Sequence, residues 1–244
     1  MFHVTCTGFL LPGAGAPAES CEDAVWPRGV HSEHCPVFRC AVADGAYGTF
    51  NSGLWAQAIV DTYVKERQLF ADARSEWKTR VAAVSVSDPF SAGNQSVAFA
   101  AFVGLTLERT SDLCSFRATA IGDCSLFQFD MVGQLKASFP FADSRQLQSD
   151  PQLVCTGFAI NEHLVLTQNG IWEPGDSFYL ASDGFSSFIF NLLENHENPF
   201  HLLNEIDDDA DFAAIVEQGR RRRNQMNEPY ISQGDVALLR VVPS

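Results

Sequence analysis

The sequence predicts an α+β fold in which helices pack on stacked sheets. Runs rich in β-formers fill the middle of the chain, at 96–107, 114–121 and 124–129. Helical periods cluster after the first third and near the end instead of alternating with strands, which argues against a βαβ wind. No repeat or linker interrupts the 244 residues, so one domain spanning 1–244 is expected.

The elements follow in order. The N-terminal residues read as an edge strand running into a loop. An apolar run at 36–42 ends in Ala43-Asp44-Gly45, a buried strand stopping at a turn. Asn51 or Ser52 then caps a helix whose Leu54, Trp55, Ala58, Ile59 and Tyr63 keep a helical period. A second helix covers 75–84, and 89–94 is a loop. The three middle strands lead to a turn at Gly133 and a polar loop at 138–151. Strands return near Leu153, at 164–167 and at 177–181. Helices occupy 184–193 and 209–225, and 236–242 is the final strand.

Composition excludes some functions. With 30 acidic against 16 basic residues, the net charge is -14, the opposite of the basic footprint that nucleic acid requires. No stretch approaches the ~20 apolar residues of a membrane span. Residues 1–18 imitate a signal peptide through Ala14-x-Ala16, but they lack a positive n-region and a long apolar run. The seven cysteines have no CxxC or zinc spacing and read as reduced thiols of a cytoplasmic protein, Cys124 being the candidate reactive one.

Five segments place an aspartate beside a small residue at a strand edge or turn. They are Cys21-Glu22-Asp23-Ala24, Val42-Ala43-Asp44-Gly45, Ile121-Gly122-Asp123-Cys124, Ser182-Asp183-Gly184 and Gly234-Asp235-Val236-Ala237. Singly, each is more often a turn than a site. Together, carboxylates at strand ends can converge to supply the oxygen ligands that magnesium and manganese prefer.

These segments resemble, in order and approximate spacing, the metal-dependent protein phosphatases of the 2C type, the PPM family, in its bacterial-like branch. Glu22-Asp23-Ala24 resembles the family's acidic motif, and Ala43-Asp44-Gly45-x-x-Gly48 its Asp-Gly-x-x-Gly turn. Asn94-Gln95-Ser96 is similar to the segment opening a central strand, and Gly122-Asp123-Cys124 to the Gly-Asp-Ser motif. Pro174-Gly175-Asp176 followed by Tyr179-Leu180-Ala181-Ser182-Asp183-Gly184 resembles its most recognisable stretch.

The resemblance implies a four-layer α-β-β-α sandwich, two antiparallel sheets flanked by helices, with ions held at one end. It implies two central Mn²⁺ or Mg²⁺ ions and a weaker third. Asp44 would bridge the central pair, with the Gly45 carbonyl also binding. Asp23 would hold the second ion directly or through water, Asp183 the first, and Asp123 with Asp183 the third. Asp44 and Asp183 would thus be the catalytic carboxylates. The implied activity is direct hydrolysis of phosphoserine and phosphothreonine on proteins, opposing a serine/threonine kinase, without nucleic acid or membrane as partner.

Four departures from the family pattern stand out. Ala18 occupies the place of a phosphate-binding arginine, and Ala46 that of a histidine acid. Gly234 falls where an aspartate ligand precedes the last strand, and Asp235 is expected to be the metal ligand through a one-residue shift of the turn. Ser186 and Ser187 begin a helix where many members carry an acidic side chain. The alternative reading is therefore a catalytically impaired phosphatase-fold regulatory or binding module. A metal-free structural domain is a third, which leaves the aspartate motifs unexplained.

Other signals have plainer readings. Asp207, Asp209 and Asp211 open like a calcium loop, but Phe212 and Gln218 replace its glycine and glutamate, so they favour a helix N-terminus. Arg220 to Arg223 reads as a solvated helix end rather than a phosphate clamp. His31 and His34 read as loop residues and candidate acids near the site. Gly13-Ala14-Gly15 is too short for a nucleotide loop.

Overall fold

The computed structural model describes residues 1–66, 69–85, 97–147, 151–158 and 162–244. The expected loop at 89–94 and the Asn94-Gln95-Ser96 segment lie outside them. The chain opens with β1 (Phe2–Leu11), β2 (Ala24–Trp26), β3 (Gly29–Cys35) and β4 (Val37–Gly45), then α1 (Ser52–Val64) and α2 (Leu69–Ser85). Next come β5 (Phe99–Arg109), β6 (Cys114–Ile121), β7 (Ser125–Phe129), β8 (Leu135–Phe139), β9 (Val154–Cys155), β10 (Leu166–Ile171) and β11 (Ser177–Ala181). The C-terminal part holds α3 (Asp183–Glu194), α4 (Pro199–Asn204), α5 (Asp209–Arg221) and β12 (Val236–Pro243).

Two antiparallel sheets result. One has the order β3-β1-β12-β11-β7-β8, the other β10-β6-β5-β4-β2, with β9 beside the start of β5. Val4, Phe38, Val103, Leu126, Phe178 and Leu239 fill the space between the sheets. Phe127, Tyr179 and Leu238 face outward onto Phe188 of α3 and Phe212 of α5, while Ala41, Ala43 and Phe102 face Trp55 and Ile59 of α1. This is the expected four-layer sandwich. Because both faces of each sheet are covered, β7 and β11 are buried at every position, and their strong two-residue alternation is lost.

Packing, not capping, places α1. Asn51 stands at its N-cap in a left-handed conformation and makes no side-chain cap. A cap contributes about 1 kcal/mol, whereas burying large side chains such as Trp55 and Ile59 contributes about 1.5–3 kcal/mol each. The Trp55 indole also donates to the Val154 carbonyl at 3.0 Å.

Several expectations change. The N-terminal strand is no edge: β1 lies between β3 and β12. His31 and His34 belong to the edge strand β3, not to a loop. That strand, GVHSEHC, has no fully buried position and so carries no apolar signature. The second helix starts at Leu69, six residues before 75. β2, β8 and the short α4 carry no strong periodicity, so the sequence does not announce them. Among the described residues no helix is long and apolar enough to cross a membrane.

Candidate metal centre

The registers bring the five aspartate segments to one end of the sandwich. Ala24 pairs with Ala43, so Asp23, just before β2, lies beside Asp44 near the end of β4. Asp44 in turn pairs with Ala101 near the start of β5, and Phe102 pairs with Ile121 at the end of β6, next to Gly122-Asp123. In the other sheet Ala181 pairs with Ser125 and Leu238, which sets Asp183 and Asp235 at the same end. Asp23, Asp44, Gly45, Asp123, Asp183 and Asp235 all line one cavity of about 830 Å³, with Glu22 and Gly234.

Two glycines permit this closeness. A Cβ on Gly45 would stand 2.5 Å from the Glu22 carbonyl oxygen and 2.8 Å from the Ser52 carbonyl carbon. Gly122 has φ +82°, and a Cβ there would meet Ala101 Cβ at 2.6 Å. A side chain at either place would push apart the segments that carry Asp23, Asp44 and Asp123.

Four of the carboxyls in the cavity, those of Glu22, Asp23, Asp44 and Asp123, resist ionisation. Burial raises Asp44 well above the usual carboxylate range, and the charges of Asp23, Asp183 and Asp123 raise it further. Asp23 is raised by burial and by Asp183, with Ser182 partly relieving it. Asp123 is pushed up to about 7 by burial and then by Asp183. Glu22 is raised chiefly by burial, and the Ser52 hydroxyl, which donates to it, offsets part of this.

Asp235 is held differently. Its two carboxylate oxygens accept from the backbone N–H groups of Gly13 and Glu22, each at 2.6 Å. Gly234 contributes only backbone to the cavity wall, and its carbonyl accepts from Arg220 at 2.8 Å. Each Asp235 oxygen keeps a lone pair for a further partner.

Asp23 Oδ2 is buried with no hydrogen-bond partner. A buried, unpaired carboxylate oxygen is costly unless a cation answers it. Together with the mutually raised carboxyls, this donor set fits a hard divalent cation, which oxygen ligands select. Among the described residues no three His, Cys, Asp or Glu side chains close into a cage around one point. The fit is therefore to an ion that keeps several waters and takes one or two carboxylates, as magnesium does.

The remaining expectations divide. Ala18 is exposed in a short turn and does not line the cavity, while Ala46 does. Among the described residues no Lys, Arg or His lines it. Arg28, exposed beside the β2–β3 turn, is close enough to oppose the raising of the Cys21 thiol, but it is not in the lining. His31 packs against Trp26 and Phe38, and His34 against His3; neither lines the cavity. Cys124 is fully buried and its thiol is pushed well up by burial and neighbouring carboxylates, the reverse of a reactive thiolate. Asp208 caps α5 through Ala210 and Asp211, as a helix N-terminus requires. Ser186 turns inward to the Ala181 carbonyl and Ser187 accepts from Asn191.

Two contributors went unread. Arg220 is not a solvated helix end: it is 8% exposed and donates to the carbonyls of Pro12, Ser232 and Gly234. The helical spacing of Phe212, Val216, Gly219 and Arg220, all buried, was the available signal. Gly13 and Ala14, too short a run for a nucleotide loop, form part of the cavity wall, and the distant pairing of Gly13 with Asp235 reveals it.

No family model matches the sequence, and no curated protein matches it significantly. Structure finds what sequence does not. The chain is similar to the photosystem II phosphatase PBCP, at 16% identity and TM-score 0.62 over 98% of each chain. It is similar to the catalytic domain of the serine/threonine protein phosphatase PstP with two manganese ions, at 13% identity and TM-score 0.58 over 100% of this chain and 99% of that one. It also resembles RsbX bound to magnesium, at 16% identity and TM-score 0.53 over 100% of both. The chain therefore has the fold of the 2C-type phosphatases.

Proposed function

We propose that the chain is a metal-dependent phosphatase that hydrolyses phosphoserine and phosphothreonine on proteins, opposing a serine/threonine kinase. The observation that carries this reading is the cavity itself, where carboxylates from both sheets converge and Asp23 Oδ2 stays buried and unpartnered. In this reading Asp44, the Gly45 carbonyl, Asp23 and Asp183 hold two central manganese or magnesium ions. Asp123 and Asp183 hold a weaker third, and Asp235, just before the final strand, is a further ligand. Bound there, the ions supply a water of lowered pKa and positive charge against the phosphoryl oxygens.

The chain's own residues set the terms. Gly45 and Gly122 allow the close approach, and Ser182 supports Asp23. Ala46 has no proton to give, so protonation of the leaving oxygen falls to solvent. The manganese and magnesium in the PstP and RsbX structures support the choice of ion.

A second reading, an impaired phosphatase-fold binding module, is favoured by one observation: among the described residues no cationic side chain lines the cavity to grip phosphate. Hydrolysis of p-nitrophenyl phosphate and of a phosphothreonine peptide, with and without manganese, separates the two. Manganese-dependent turnover that disappears in Asp44→Ala supports the phosphatase. Metal binding without turnover supports the module, and metal-independent turnover overturns both.

A further inference from the structure

We infer that the preferred substrates are protein segments with Lys or Arg beside the phosphorylated residue, an inference that rests on the phosphatase reading. Its basis is the charge around the cavity. Glu22, Asp23, Asp44, Asp123, Asp183 and Asp235 line it, and among the described residues no Lys, Arg or His does. The two central ions would offset part of this acidic lining. An arriving phosphate dianion adds further negative charge. A flanking cation on the substrate supplies what the wall lacks.

The surroundings do not compensate. Arg220 adjoins the wall, and its Nε and Nη2 donate to the carbonyls of Pro12, Ser232 and Gly234. The whole chain carries -14, so the long-range field attracts basic segments and repels acidic ones.

At the rim stands Tyr47, in the turn after Asp44-Gly45. It lines the cavity while the residue is 96% exposed. An aromatic face beside a carboxylate-lined opening suits a guanidinium or ammonium group through cation–π attraction. Tyr47 therefore contacts the residue flanking the phosphorylated one.

The test uses two phosphothreonine peptides of equal length, one with lysines and one with glutamates on either side of the phosphothreonine. The manganese-loaded chain is expected to favour the lysine peptide by about tenfold or more in kcat/KM at low salt. The ratio should shrink toward unity at roughly 0.5 M NaCl, where surface charges are screened. Tyr47→Ala should narrow the ratio by about threefold, and Tyr47→Phe, which keeps the ring, should preserve it. Equal rates, or a preference for the glutamate peptide, would overturn the inference while leaving the phosphatase reading intact. If p-nitrophenyl phosphate and both peptides go unhydrolysed, that reading fails instead. The inference is then decided by fluorescence anisotropy: tighter manganese-dependent binding of the lysine peptide sustains it, and equal binding refutes it.

Discussion

Asp44 and Asp235 line the same cavity from opposite sheets, and the fold treats them in opposite ways. Asp44 is raised by burial and by three neighbouring carboxyls. Asp235 rests in two short backbone N–H bonds, one on each carboxylate oxygen. One site needs a cation to be comfortable when ionised, while the other is already satisfied. The difference teaches that carboxylates in one cavity need not depend equally on metal, and it sets the order of the effects below.

The largest effect is expected at Asp44. Asp44→Ala should abolish manganese-dependent hydrolysis, a loss of at least about a thousandfold, comparable with removing a principal stabiliser of transition-state charge. The metal-free variant should nevertheless melt at or above the temperature of the natural chain, because a crowded buried carboxyl has gone. Retained activity would break the comparison, and a large drop in metal-free Tm would mean Asp44 is structural. Asp183→Asn comes next: manganese affinity by calorimetry should fall about 10–100-fold with the fold intact, and unchanged titration would remove Asp183 from the site.

The metal-free chain should also show the crowding as a pH dependence. Folded Asp123 holds its proton up to about 7, whereas the unfolded side chain releases it near ~4. The folded state therefore binds more protons in that window, and its stability is full below about 4 and falls as pH rises toward about 7. Manganese should reverse the trend, since it binds the deprotonated carboxylates. Thermal melts at several pH values, with and without manganese, test both signs. A metal-free Tm that rises between those pH values would contradict the burial of this group.

How much of this was legible in the sequence follows from where each signal resides. The Asp44, Asp123 and Asp183 turns end or begin strands that were read directly, because a local apolar run and an Asp-Gly step announce themselves within a few residues. The sandwich of covered sheets followed from segregated strands and helices. Edge strand β3 was not legible, since GVHSEHC has no buried face to leave a pattern. The wall around Asp235 was the harder part: Gly13 meets Asp235 across 222 positions of sequence. Arg220 was misread for a different reason. Its charge suggested solvent, but the period of α5 placed it with Phe212 and Val216 on the buried face.

The smallest effects concern Asp235 and its neighbour, and they sharpen the comparison most. Asp235→Ala leaves the Gly13 and Glu22 amides without their acceptor, which costs about 1–3 kcal/mol where such groups are shut from water. If Asp235 is also a ligand, manganese affinity should fall about tenfold as well, and we expect both losses. Gly234→Asp separates ligand from clip. A Cβ at Gly234 would meet only Ser232 Oγ, at 3.5 Å, so the substitution fits without displacing the loop. With Asp235 as the ligand, a carboxylate at 234 adds little, and manganese affinity should stay within about twofold. If the ion instead faces position 234, the new anionic oxygen should tighten binding well beyond that, because a hard cation gains a charged ligand. Asp235→Ala would then lower Tm while leaving manganese affinity unchanged. Calorimetry on the two variants, read beside their melting temperatures, decides whether the amides hold Asp235 ready for metal or simply hold the wall together.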